Sequence, residues 1–260
     1  MTQAQAQETS RALTRICRIE DGIAWITMDR PDKANAVNTA LATDILAAMD
    51  AAEHTQDVRA VVLSGDGRNF CAGADLAELL DGGAPAFRRL LNAFRDVCTR
   101  FESSPLPVIA MIHGAARAGG LELMLCCDAV VAEQGATIGD AHMLRNLLPG
   151  GGNSVRLPRT IGHQRAKWMI LSGQSITAAE AQAWGIVTVC APQGALRAET
   201  LRIVADLTVG HRETIAKAKS LLIAADVLGF EEALENEIVH LEQHASSPVL
   251  KESLSGFLRV

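Results

Sequence analysis

Tyrosine is missing altogether from the 260 residues, and aromatic side chains make up only 3% of them. No phenol is therefore available to move a proton, and any acid–base role falls to Glu, Asp, His, Lys or Cys. Runs of Lys or Arg are missing too, and the net charge is −6. The electrostatic footprint of a nucleic-acid partner is thus absent. No long uncharged apolar run exists either. The most apolar stretch, Pro105 to Ala132, carries His113, Arg117, Glu122 and Asp128, which argues against a membrane span. Met1 to Thr14 is polar and has no apolar signal core, so no secretory leader is expected. Cys17, Cys71, Cys98, Cys126, Cys127 and Cys190 form no CxxC, and the adjacent Cys126–Cys127 pair suits no ordinary disulfide. The expectation is a soluble cytoplasmic protein whose reduced thiols pack as small hydrophobes.

What is present is ample material for a core. Apolar residues make up 48% and charged residues 21%, a globular balance. The length suits one large domain, or one domain with an appendage. Ile23–Met28, Ala60–Leu63, Val108–Ile112 and Ala129–Ala132 read as strands. Asn38 is placed to cap a helix running to about Glu53, with Leu41, Ile45, Met49 and Ala52 on one stripe. Phe87, Leu90, Leu91, Phe94, Val97 and Phe101 recur at helical spacing and predict a core-facing amphipathic helix. Leu121–Cys127 and Arg165–Leu171 also read as helical. Thr177 with Glu180 makes a capping box, and Gly185 stops that helix. From about Leu201 onward only helical periodicity remains. The order is α/β first and all-α last, with a boundary near residues 192–200.

Three glycine-bearing segments stand out: Asn69 to Leu76, His113 to Glu122, and Pro149 to Gly152. Each follows a strand or precedes a predicted helix. Glycine lets backbone approach a ligand, and a helix start offers free N–H groups at its positive dipole end. Two such amides converging on one oxygen form an oxyanion hole. The Pro149 segment lacks the Gly-Lys-Ser/Thr ending of a phosphate loop, so that reading is rejected.

In this order the segments resemble the crotonase (enoyl-CoA hydratase/isomerase) superfamily. The resemblance is carried by Ile26–Asn38, Val61–Gly65, Phe70–Leu76, Pro107–Ala110 with the glycine loop after it, and Cys127-Asp128. Leu171–Gly173, Ala178–Val187, Lys251-Glu252 and Gly256–Leu258 extend it, so that it spans about residues 16–258. It implies an α/β core of repeated β–β–α turns over 1–195. A C-terminal helical region over 196–260 would mediate assembly as a homotrimer or dimer of trimers. It further implies an acyl-CoA substrate, no tightly bound cofactor and no metal. Most directly it implies an enoyl-CoA hydratase, a lyase of fatty-acid metabolism that adds water to a 2-enoyl-CoA. An isomerase, decarboxylase or carbon–carbon hydrolase, and a non-catalytic or RNA-binding member of the fold, stay open as alternatives.

Carried over by position, the resemblance gives the oxyanion amides to Ala72 and Gly119 and the first catalytic carboxylate to Glu122. Glu122 would sit in the first turn of a helix opening at Gly119, where the dipole favours its ionised form. The second catalytic Glu of two-carboxylate hydratases is replaced by His142, with Asp140 two residues earlier. Imidazole serves as acid or base, so the chemistry need not be lost. Coenzyme A is expected against Lys33, Ala34 and Ala36 and against Ala72, Gly73 and Ala74, with Arg68 near enough in sequence to meet a phosphate. His113 is read as structural. Arg117 and Ala118 stand where the family more often has an apolar residue and Gly. The Arg117 charge could meet an acidic acyl group, pair with Asp140 or point to solvent.

Overall fold

The computed structural model describes residues 17–257, so the polar start at 1–14 and Leu258 lie outside it. The strands are β1 (Cys17–Glu20), β2 (Ile23–Met28), β3 (Ala60–Gly65), β4 (Val108–Ile112), β5 (Ala115–Arg117), β6 (Ala129–Glu133), β7 (Thr137–Gly139), β8 (Ser175–Thr177) and β9 (Val189–Ala191). The helices are α1 (Thr39–His54), α2 (Ala77–Ser103), α3 (Gly119–Leu125), α4 (Asn153–Ile161), α5 (His163–Ser172), α6 (Ala178–Trp184), α7 (Leu196–Leu207), α8 (Arg212–Ala225), α9 (Phe230–Ala245) and α10 (Pro248–Phe257). Two sheets result. One has the order β1-β2-β3-β4-β6-β9 and is parallel except for β1; the other is β5-β7-β8.

The chain climbs in β–β–α turns, as the resemblance implied. β4 joins the larger sheet, β5 the smaller, and α3 follows; β6 and β7 repeat the step. The two earlier turns have single bridges in place of the second strand, Val37 with Ala74 and Cys71 with Ala116. The central strands are rich in Val and Ile and buried along their length, because both faces of a parallel sheet are covered. One face joins the main core with α1; the other carries Ile23, Trp25, Val62, Ile109 and Val131 under Ile203 and Val204 of α7. Helix α7 thus closes the sheet's second face although it follows residue 195.

Asn38 caps α1 by accepting from the Leu41 N–H at 2.8 Å, and Leu41, Ile45, Met49 and Ala52 are buried as their spacing predicts. The aromatic stripe of α2 divides. Leu90, Phe94, Val97 and Phe101 are core, whereas Phe87 and Leu91 line a cavity that the Phe94 ring also borders. The helix read over Leu121–Cys127 opens two residues earlier, at Gly119. Strands β5, β7 and β8 have three residues each, too few for periodicity to register. Helix α4, with Pro158 inside it, is likewise absent from the sequence reading.

Candidate active site

A cavity of ≈ 280 Å³ lies between the turns, with Leu76, Phe87, Leu91, Phe94, Leu144 and Leu148 among its walls. Ala72, Ala74, Gly119, Glu122 and His142 also line it, so the three glycine segments do converge.

Glu122 stands in the first turn of α3 and is 3% exposed. Its Oε1 accepts from the Gly151 N–H at 2.7 Å and the Asn153 N–H at 3.2 Å. Gly151 has to be glycine for this, since a Cβ there would lie 2.7 Å from Oε2. Burial pushes the carboxyl of Glu122 above the usual carboxylate range, against the charge of His142 and the two amides, which favour the anion. Desolvation is thus the largest influence on this carboxyl.

His142 is 8% exposed. Its Nδ1 meets Asp140 Oδ2 at 3.0 Å, and its backbone N–H donates to Asp140 Oδ1 at 3.1 Å. Asn153 Nδ2 donates to Asp140 Oδ2 at 2.6 Å and steadies the carboxylate. With Nδ1 so engaged, Nε2 is turned toward Glu122 Oε2, 4.0 Å away. Burial by itself would lower the imidazole pKa, but the hydrogen bond and charge of Asp140, with the Glu122 charge, raise it above 6.5. Asp140 was noticed in the sequence only as a neighbour, and Asn153 was missed. No local pattern announces a contact between residues 13 positions apart.

The amides require one correction. The Ala72 N–H donates to the Ala34 carbonyl at 2.9 Å and is spent on backbone. The Ala74 N–H, two residues on, has no acceptor among the described residues, and neither has the Gly119 N–H at the start of α3. The two loops touch. Gly73 adopts φ +110, and a Cβ there would come within 3.0 Å of the Gly119 nitrogen. Ala74 and Gly119 are therefore two unengaged donors on the touching loops of this cavity.

The segment expected to hold coenzyme A is tied to the same loop. Val37 N–H donates to Gly73 O and Asp75 N–H to Val37 O, both at 2.8 Å, and Arg30 Nη2 bridges to Asp75 Oδ2 at 2.8 Å. Ala34 and Ala36 lie within this knit. Lys33 and Arg68 are exposed and do not line the cavity. His113 binds the Gly67 carbonyl through Nε2 at 3.0 Å. Arg117 lines the cavity and does not pair with Asp140, whose oxygens are held by His142 and Asn153. Among the described residues no cluster of side chains is suited to a metal ion, and no helix is long and apolar enough to cross a membrane.

Known proteins resemble this chain over most of its length. Residues 18–259 match the family model described as enoyl-CoA hydratase/isomerase. A Bacillus subtilis protein named as a probable enoyl-CoA hydratase is 31% identical over 92% of this chain and 93% of its own length. The 2,3-dehydroadipyl-CoA hydratase of Escherichia coli is 31% identical over 91% of this chain and 92% of its own. The crystal structure of an enoyl-CoA hydratase from Polaromonas sp. JS666 superposes with a TM-score of 0.89 at 27% identity, covering 93% of this chain and 95% of that one.

Proposed function

The chain belongs to the enoyl-CoA hydratase/isomerase family, and we propose that within it this enzyme adds water across the double bond of a 2-enoyl-CoA. The observation that carries the reading is one cavity holding two unengaged amides and a carboxylate–imidazole pair 4.0 Å apart. The thioester oxygen is held by the Ala74 and Gly119 N–H groups, which stabilise it as it gains charge. Glu122 as anion takes a proton from water, and the hydroxide bonds to C3. The electron pair moves to the thioester oxygen, and the enolate is quenched at C2 by the proton on His142 Nε2. A proton then passes from Glu122 to His142 and resets the pair.

Coenzyme A rests against Lys33, Ala34, Ala36, Gly73 and Ala74 in this reading, with Arg68 free to meet a phosphate. The working unit is a homotrimer or dimer of trimers. Leu222, Val227, Phe230, Ile238 and Leu241 support this, since all are exposed apolar side chains on the C-terminal helices or the turn between them. The six cysteines are all free thiols, which supports a cytoplasmic setting.

Purified protein is tested against a panel of 2-enoyl-CoA and 3-enoyl-CoA thioesters by mass spectrometry. Hydration adds one water, about 18 Da, to the acyl group, while double-bond isomerisation by the same proton-carrying pair leaves the mass unchanged. Turnover with no added water would replace the hydratase reading with the isomerase one. Light scattering that finds a monomer at micromolar protein would reject the trimer.

A further inference from the structure

The cavity's charges do not balance among its own side chains. Asp140 is buried beneath His142 and already accepts from His142 and Asn153, and Glu122 is held by two amides and faces His142. Two arginines, Arg117 and Arg145, share the same lining. Arg117 is only partly exposed, and its guanidinium has no hydrogen bond or ion pair among the described residues. Arg145 is exposed, and among the described residues its sole partner is the neighbouring Leu144 carbonyl, at 3.3 Å. A guanidinium carries five donors in a planar fork, and taking it from water without a partner is costly. Its natural complement is a carboxylate held through two parallel hydrogen bonds.

Arg117 also has a defined place. It ends β5, beyond the buried Ala116, so it projects from the face of the strand that Ala116 does not bury in the core. It stands two positions before Gly119, at most about 7 Å of chain. It therefore lies at the reacting end of the cavity, apart from the exposed Lys33 at the segment assigned to coenzyme A. We infer that Arg117, flanked by Arg145, forms an anion subsite for a carboxylate at the far end of a short acyl chain, so that the preferred thioesters are half-esters of dicarboxylic acids. The inference rests on the acyl-CoA reading above and narrows its substrate class.

The test uses saturated thioesters, which cannot be hydrated and so report binding alone. Affinities of glutaryl-CoA against pentanoyl-CoA, of adipyl-CoA against hexanoyl-CoA, and of free coenzyme A are measured by titration calorimetry on the full-length protein. In at least one pair the carboxylated member should bind roughly 10–100-fold more tightly, the range of a charge-assisted contact. Arg117→Met should reduce that ratio by a similar factor. Arg117→Lys, which keeps the charge and loses the fork, should reduce it partly. A wild-type preference for the uncharged members overturns the inference. So does an Arg117→Met loss that is equal for both members and for free coenzyme A, because the anion met would then be a coenzyme phosphate. Failure of the broader reading looks different: no enoyl-CoA turned over by wild type, whatever the binding ratio.

Discussion

His142 presents Nε2 to Glu122 Oε2 across 4.0 Å while Asp140 grips the opposite ring nitrogen at 3.0 Å. The two proton-carrying atoms thus face one space, and neither is consumed by the contacts that position it. Replacing Glu122 by Gln keeps an oxygen for the Gly151 and Asn153 amides and removes only the base. The expected result is a kcat lower by roughly 10²–10⁴-fold. KM should change far less, since in the proposed reaction coenzyme A rests on the Lys33–Ala36 and Gly73–Ala74 segments and not on Glu122. Steady-state kinetics showing near-normal turnover would move the chemistry to another residue.

The pH profile follows from the two shifts. Glu122 must be ionised to act as base, and burial raises its pKa, so activity rises as pH climbs through a value above the usual 4.5. His142 must be protonated to act as acid, and its pKa lies above 6.5, so activity falls as pH climbs through that higher value. A bell should result, its limbs belonging to the pair jointly. His142→Ala should remove the alkaline limb. Asp140→Asn should move that limb to lower pH, because Asp140 supplies the largest contribution raising the imidazole pKa. An alkaline limb identical in wild type and His142→Ala would make His142 purely structural.

Ala118 occupies φ 49, ψ −116 at the start of α3, a conformation open to glycine and strained for any side chain. Ala118→Gly should therefore stabilise the fold by about 1 kcal/mol, the relief of strain less the entropy of a freer unfolded chain. For a chain of this size that is roughly 2–4 °C in Tm. A calorimetric Tm unchanged or lowered would mean that the Ala118 methyl packs better than its backbone suffers.

Lys219 of α8 reaches into the body, where Nζ meets Asp128 Oδ2 at 2.6 Å and donates to the carbonyls of Leu106 at 2.9 Å and Phe101 at 3.4 Å. Lys219→Met leaves that carboxylate half-buried without its counter-charge. The expected loss is about 2–3 kcal/mol in urea unfolding, less than for a fully buried pair because Asp128 keeps some contact with water. Adding Asp128→Asn should recover part of it. If the two losses simply add, the pair is not coupled.

The strands, the helix cap and the loops that frame the cavity are legible because they depend on local pattern, whereas Glu122 and His142 come into view only through the family resemblance. β-branched runs, the Asn38 cap and the glycine loops each speak for themselves over a few residues. Ala72 shows the limit. A motif locates a loop, but which of its amides is free depends on whether the Ala34 carbonyl, far back in the chain, has claimed one. Asn153 was hidden for the same reason, its value lying in Asp140 and Glu122. Helical spacing makes the whole α2 stripe look like core, because it registers apolarity and not what lies opposite.

Helix α2 has two clients. Phe87, Leu91 and Phe94 shape the cavity, and roughly 10–20 Å further along the same helix the Phe101 carbonyl is fastened by Lys219 of α8. The pocket wall and the tail are thus mounted on one stiff beam. Loosening Lys219 from Phe101 is therefore a disturbance applied to the same helix that carries the cavity wall.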